Sequence, residues 1–118
     1  MMPKTGNPNQ PDDERRDITP TQFFTAFSNE RRQHAVAYLA QKPAAVRLGD
    51  LAEYIAIKEG EPTYERYERV LTDLAHCHLP HLHDAGLVRY NTDEEQVELV
   101  VKRNMVAPYL ELAGHADA

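Results

Sequence analysis

The chain has 118 residues, 42% of them hydrophobic and 27% charged, a balance that suits one soluble domain around one core. Thirteen basic residues stand against nineteen acidic ones, a net charge of −6, so the chain as a whole lacks the basic footprint of most nucleic-acid binders. Its longer apolar runs, such as residues 35–40, fall far short of the ~20 residues of a membrane span, and its single cysteine, Cys77, excludes an internal disulfide framework or a Cys-rich zinc module.

Residues 1–17 carry Pro3, Gly6, Pro8 and Pro11 and then an almost wholly charged stretch, which predicts a disordered tail. Order is expected from Ile18. Thr19 and Pro20 form a helix start, with Thr as N-cap and Pro at the first helical position. A short helix with Phe23, Phe24 and Phe27 follows, the Phe23–Phe24 pair docking it on the core. Ser28 is the expected cap of a second helix, with Glu30 in its first turn and an apolar side of Ala35, Val36, Tyr38, Leu39 and Ala40, ended by Pro43. After a short extended piece, 45–47, a third helix over 50–58 presents Leu51, Tyr54 and Ile55 at helical spacing. Gly60 closes it and Thr63 caps the next helix.

The fourth helix is the longest, about 64–85. At 100° per residue, Tyr67, Leu71, Leu74, His78 and Leu82 share one side, with Val70 and Cys77 flanking them. Glu65, Arg69, Thr72, Asp73, His76 and His83 fall on the other. Pro80 removes a donor and predicts a kink or a break, and Gly86 ends the helix. Residues 87–90 and 97–102 then alternate as two strands around the polar turn 91–95, a hairpin. A last amphipathic piece, 105–112, carries Val106, Tyr109, Leu110 and Leu112, and 113–118 are expected to fray. The resulting organisation is a tail (1–17), a mainly helical domain with a small β-hairpin wing (18–103), and a C-terminal helix with a frayed end (104–118).

Helix, helix, short strand, helix, turn, helix, hairpin is the order of a winged helix-turn-helix. Residues His78-Leu79-Pro80-His81-Leu82-His83-Asp84-Ala85-Gly86-Leu87-Val88 resemble the end of the recognition helix and the start of the wing in ArsR-type repressors. Phe27-Ser28-Asn29-Glu30-Arg31-Arg32 resembles the opening of the second helix there, and Leu48-Gly49-Asp50-Leu51-Ala52-Glu53 the first helix of the pair. Together with Glu68-Arg69-Val70, these segments resemble an uncharacterised family of ArsR-like winged-helix transcriptional regulators from halophilic archaea, over about residues 18–101. The resemblance implies a winged helix-turn-helix fold and duplex DNA as partner.

On that reading the fourth helix enters the major groove, with Arg66, Arg69, Thr72 and His76 as readers and Arg89 and Lys102 beside the wing. The competing account of Arg66 and Arg69 is pairing with Glu61, Glu65, Glu68 or Asp73 at helical spacing, and Asp73 on the reading side would repel phosphate. Asp93, Glu94 and Glu95 make an acidic wing tip, which points to contact through the helix alone or to a protein partner instead of DNA. High salt, as in a halophile, shortens the Debye length to about 3 Å and weakens such repulsion. The run His76-Cys77-His78 with His81 and His83 suggests a metal, but its members spread around the helix, and structural or surface roles are expected. Cys77 is expected to be inert packing beside the core. No catalytic set, cofactor, metal or small-molecule substrate is expected. The terminal helix suggests a homodimer, or else packs back on its own domain. The resulting expectation is a cytoplasmic DNA-binding regulator and not an enzyme, with a winged-helix protein-interaction module as the alternative and a metal-responsive repressor behind it.

Overall fold

The computed structural model describes residues 18–115, so the expected tail at 1–17 and the last three residues lie outside it. The described part is mainly helical with a small antiparallel sheet. In chain order it contains α1 (Pro20–Ala26), α2 (Glu30–Ala40), β1 (Val46–Arg47), α3 (Leu48–Lys58), α4 (Tyr64–Asp73), a π-helical turn (Leu74–His78), α5 (Leu79–Asp84), β2 (Val88–Asn91), β3 (Gln96–Leu99) and α6 (Arg103–Leu112). The strands lie in the order β1-β3-β2, with Val46 opposite Val97 and Arg89 opposite Glu98.

Local chemistry sets most of the boundaries. Thr19 accepts from the Gln22 amide while the Gln22 side chain accepts from the Thr19 amide, a capping box before Pro20. The cap of α2 is Asn29 and not Ser28. Asn29 is extended, at φ −126° and ψ 128°, and its side chain accepts from the amides of Arg31 and Arg32. The Ser28 hydroxyl instead donates to the Thr25 carbonyl at the end of α1. Thr63 caps α4 through the Arg66 amide. Gly86 ends α5 at φ +83°, where its own amide and that of Leu87 bond back to His83 and Leu82. The left-handed conformation makes glycine the low-cost residue there.

The core joins all the helices to one face of the sheet. Ala35, Val36, Leu39, Leu51, Ile55, Val70, Leu74, Leu79, Leu82, Leu87, Val97 and Val106 are each almost fully removed from water. The hydrophobic term therefore acts mostly between helices, and the hairpin contributes its inward-facing Val88 and Val97.

The packing decides three expectations, two of them by correction. Phe23 is buried and stacks on Tyr109 with ring centroids 4.3 Å apart, but Phe24 is 59% exposed, because neighbouring residues on a helix point about 100° apart. Val106 and Leu110 of α6 are buried within the same chain, the second of the two arrangements expected of this helix, while Leu112 is 82% exposed. The helix end does not fray through 115: the amides of Gly114 and His115 bond back to Glu111 and Leu110.

The fourth helix departs most from a regular α-helix. The Leu79 amide bonds to the Leu74 carbonyl, five residues back. This wider turn directly precedes Pro80, which has no amide to offer the carbonyl of His76. The predicted break is thus a π turn that keeps the rod continuous. It also sets back everything after it by about one residue's 100°. Cys77, expected beside the core next to Val70, lies inside this wider turn and is exposed.

Candidate functional site

The two sides of α4 differ in what their polar groups do. On the inner side, α1, α2, α3 and α4 meet in a continuous polar network. Arg32 is 9% exposed. It donates to the carbonyls of Ala26 (2.8 Å) and Thr25 (3.3 Å), and to the His78 Nδ1 at 3.1 Å. A guanidinium only donates, so His78 Nδ1 is the acceptor and the ring proton sits on Nε2. Nε2 donates to Asp73 Oδ2 at 2.8 Å. Asp73 also accepts from Arg31 at 2.7 Å, and the same Arg31 makes a two-pronged contact with Glu59 at 2.6 and 2.8 Å. Arg66 closes the row, reaching Glu59 at 2.8 Å and Glu61 at 2.6 Å.

The titrations follow from this geometry. Burial holds His78 below its ordinary value, against the opposing pull of Asp73 and with help from Arg32 and Arg31. The hydrogen bonds from Arg31, with those of Arg66, hold the Glu59 carboxyl below its usual range despite partial burial. Glu59 in turn raises both arginines.

The outer side carries Glu65, Glu68, Arg69, Thr72 and His76, all exposed. Among the described residues, the side chains of Arg69, Thr72 and His76 have no hydrogen bond or ion pair. Arg69 therefore offers a free planar fork that matches phosphates and guanine edges. Asp73, expected on this side as a repelling charge or a partner of Arg69, is turned to Arg31 and His78. Arg66, expected among the readers, is engaged by Glu59 and Glu61. Of the residues assigned to the wing, Arg89 is paired with Glu98 across the strands at 2.9 Å, and Lys102 is exposed at the start of α6. The structure thus keeps Arg69, Thr72 and His76 together, removes Arg66 and leaves Lys102 apart. Sequence reasoning missed Arg31, Arg32 and Glu59, whose one signal was the Arg31-Arg32 pair directly after a cap.

One grouping of potential ligand atoms forms among the described residues, and it is not the histidine run as a whole. Asp73, Cys77 and His78 bring ligand atoms within 4.8 Å of one another, while His76 and His83 are exposed elsewhere on the helix. The set fits a metal poorly. His78 would have to bind through Nε2, the nitrogen that Arg32 obliges to carry the proton, and Arg31 places a positive charge on the shared Asp73.

The described chain is thus a mainly helical domain with a small antiparallel sheet that presents one side of α4 to solvent. Residues 24–98 match a family described as a domain of unknown function (DUF7344), and the chain belongs to that family. No curated protein and no solved structure gives a significant match. Among the described residues no helix is long and apolar enough to cross a membrane.

Proposed function

We propose that this chain is a winged helix-turn-helix regulator of transcription in the cytoplasm, with α3 and α4 as the helix pair, the β2–β3 hairpin as the wing and duplex DNA as the partner. The order of the elements and the resemblance of residues 18–101 to ArsR-type regulators support the class. The observation that carries the DNA reading is Arg69, which has no hydrogen bond or ion pair among the described residues and is set beside Thr72 on a helix anchored by buried Val70 and Leu74. Pairing of Asp73 with Arg31 offsets one of the negative charges near that position. A twofold arrangement belongs to the same proposal, now through Phe24, which stays exposed against Tyr109, and through the exposed Leu112 of α6.

A second reading, docking of a protein in place of DNA, is favoured by charge. Glu65 and Glu68 flank Arg69, and Asp93, Glu94 and Glu95 crown the hairpin. One experiment separates the two: retention of genomic fragments by the purified chain at high salt, followed by sequencing. Enrichment of a discrete site, with Arg69→Ala weakening it by about 1–3 kcal/mol, supports DNA. Absence of enrichment, or an Arg69→Ala protein that binds the selected site like the wild type, gives way to the protein partner.

A further inference from the structure

A cleft of about 590 Å³ lies between the hairpin tip, the start of α3 and the start of α4. Its apolar wall comprises Ile57, Pro62, Tyr64 and Tyr67. Ile57 is 55% and Tyr64 76% exposed, so this wall stays open to solvent. The two tyrosine rings lie 6.0 Å apart. The Tyr67 hydroxyl is so close to Gly49 that a Cβ there would meet it at 3.0 Å, so the ring is set by the backbone of α3.

The rim is acidic. Asp50, Glu53, Glu94 and Glu95 line it, against the one arginine Arg47. Among the described residues none of the four carboxylates is in an ion pair. The backbone of the tip is held in place, since the Glu95 carbonyl accepts from the Leu48 amide at 2.8 Å and Asn91 Oδ1 accepts from the Glu94 amide at 3.0 Å. Exposed aromatic faces beside unpaired carboxylates attract ammonium and guanidinium groups from two directions, through the ring quadrupole and through charge.

We infer that this cleft docks a cationic stretch of a partner protein, one in which lysine or arginine flanks an aliphatic side chain. The apolar wall takes the aliphatic group and the rim takes the charges. An acidic or nucleic-acid partner meets four like charges here. The inference goes beyond the DNA reading and does not need it, because Arg69 and Thr72 are not part of the cleft.

The test is a titration of the isotope-labelled full chain with a capped seven-residue peptide of lysine, leucine and glycine, followed by amide shifts at low salt. Expected are saturable shifts at Gly49, Asp50, Ile57, Tyr64 and Glu95. The pair Glu94→Gln and Glu95→Gln should weaken binding by about tenfold, and Tyr64→Ala should weaken it too, while Arg69→Ala leaves it unchanged. Spectra that match the wild type away from the cleft confirm that the variants fold. The inference is overturned if the shifts spread over every acidic surface without saturating. Equal binding by a peptide with glutamate for lysine, or with glycine for leucine, overturns it as well. Tighter binding of a peptide of residues 1–17 at the same amides would give the cleft to the chain's own first residues instead of to a partner.

Discussion

Arg66 and Arg69 stand three residues apart on one helix, and their surroundings give them opposite tasks. Arg66 lies against Glu59 at the end of α3 and Glu61 in the following turn, and its fork is occupied. Arg69 looks outward, between Glu65 and Thr72, and its fork is free among the described residues. The inner side of α4 uses its charges to tie four helices together, and the outer side keeps them for something outside the chain. A count of arginines therefore overstates the charge available to a partner, because α2 and α3 bring carboxylates and further arginines to one side only.

The contrast can be broken most forcefully at its apolar base. Leu74 is fully buried where α4 passes into the π turn. Leu74→Ala should cost about 2–5 kcal/mol in denaturant unfolding. A loss under about 1 kcal/mol would mean that the inner side is not what holds the helix. Next comes the buried arginine. Arg32→Met keeps most of the volume but leaves His78 Nδ1 and the Ala26 carbonyl without their donor. A loss of about 1.5–3 kcal/mol is expected by the same measurement.

The pH dependence is a third check on the inner side. The folded His78 titrates below its ordinary value of 6.5, so the unfolded chain binds more protons in the window between the two. Its contribution to stability is full above pH 6.5 and is lost as pH falls from there through the folded value. His34, also lowered chiefly by burial, acts in the same direction. Glu59 adds a loss at lower pH, below its ordinary 4.5, as its carboxylate is protonated through its depressed value. Unfolding midpoints should therefore drop from pH 7 to pH 5, and His78→Gln should flatten that drop. An unchanged slope in His78→Gln would mean that the burial of His78 does not set this pH dependence.

The outer regions should respond more weakly. Glu95 holds φ +53° at the hairpin tip, a conformation unfavourable for a side chain by about 1–2 kcal/mol. Glycine relieves that but loses more freedom on folding, so Glu95→Gly should stabilise by about 0.5–1 kcal/mol in thermal unfolding. Smallest of all is Arg69→Ala, expected within about 0.5 kcal/mol of the wild type. Arg66→Ala should destabilise more than Arg69→Ala, because Glu59 and Glu61 lose their partner. If the order of the two arginines is reversed, the division of α4 into inner and outer sides fails.

Much of this was legible in the residues themselves. Thr19-Pro20, Thr63 and Gly86 mark helix ends because capping and left-handed turns are decided by a residue and its immediate neighbours. The hairpin and the apolar positions of α2 and α3 follow from spacing alone. The sequence also placed Arg69 and Thr72 on a common exposed side of the fourth helix, since both precede the irregular turn. The side chains of Asp73, Cys77 and His78 were harder. Pro80 announces a break, but not that a π turn absorbs it, and it is within this turn that Cys77 is exposed. The network from Arg32 to Glu61 depended on tertiary structure. Its bonds join residues up to 46 positions apart, and nothing local tells an arginine which of nineteen acidic residues will lie within reach once the helices are packed.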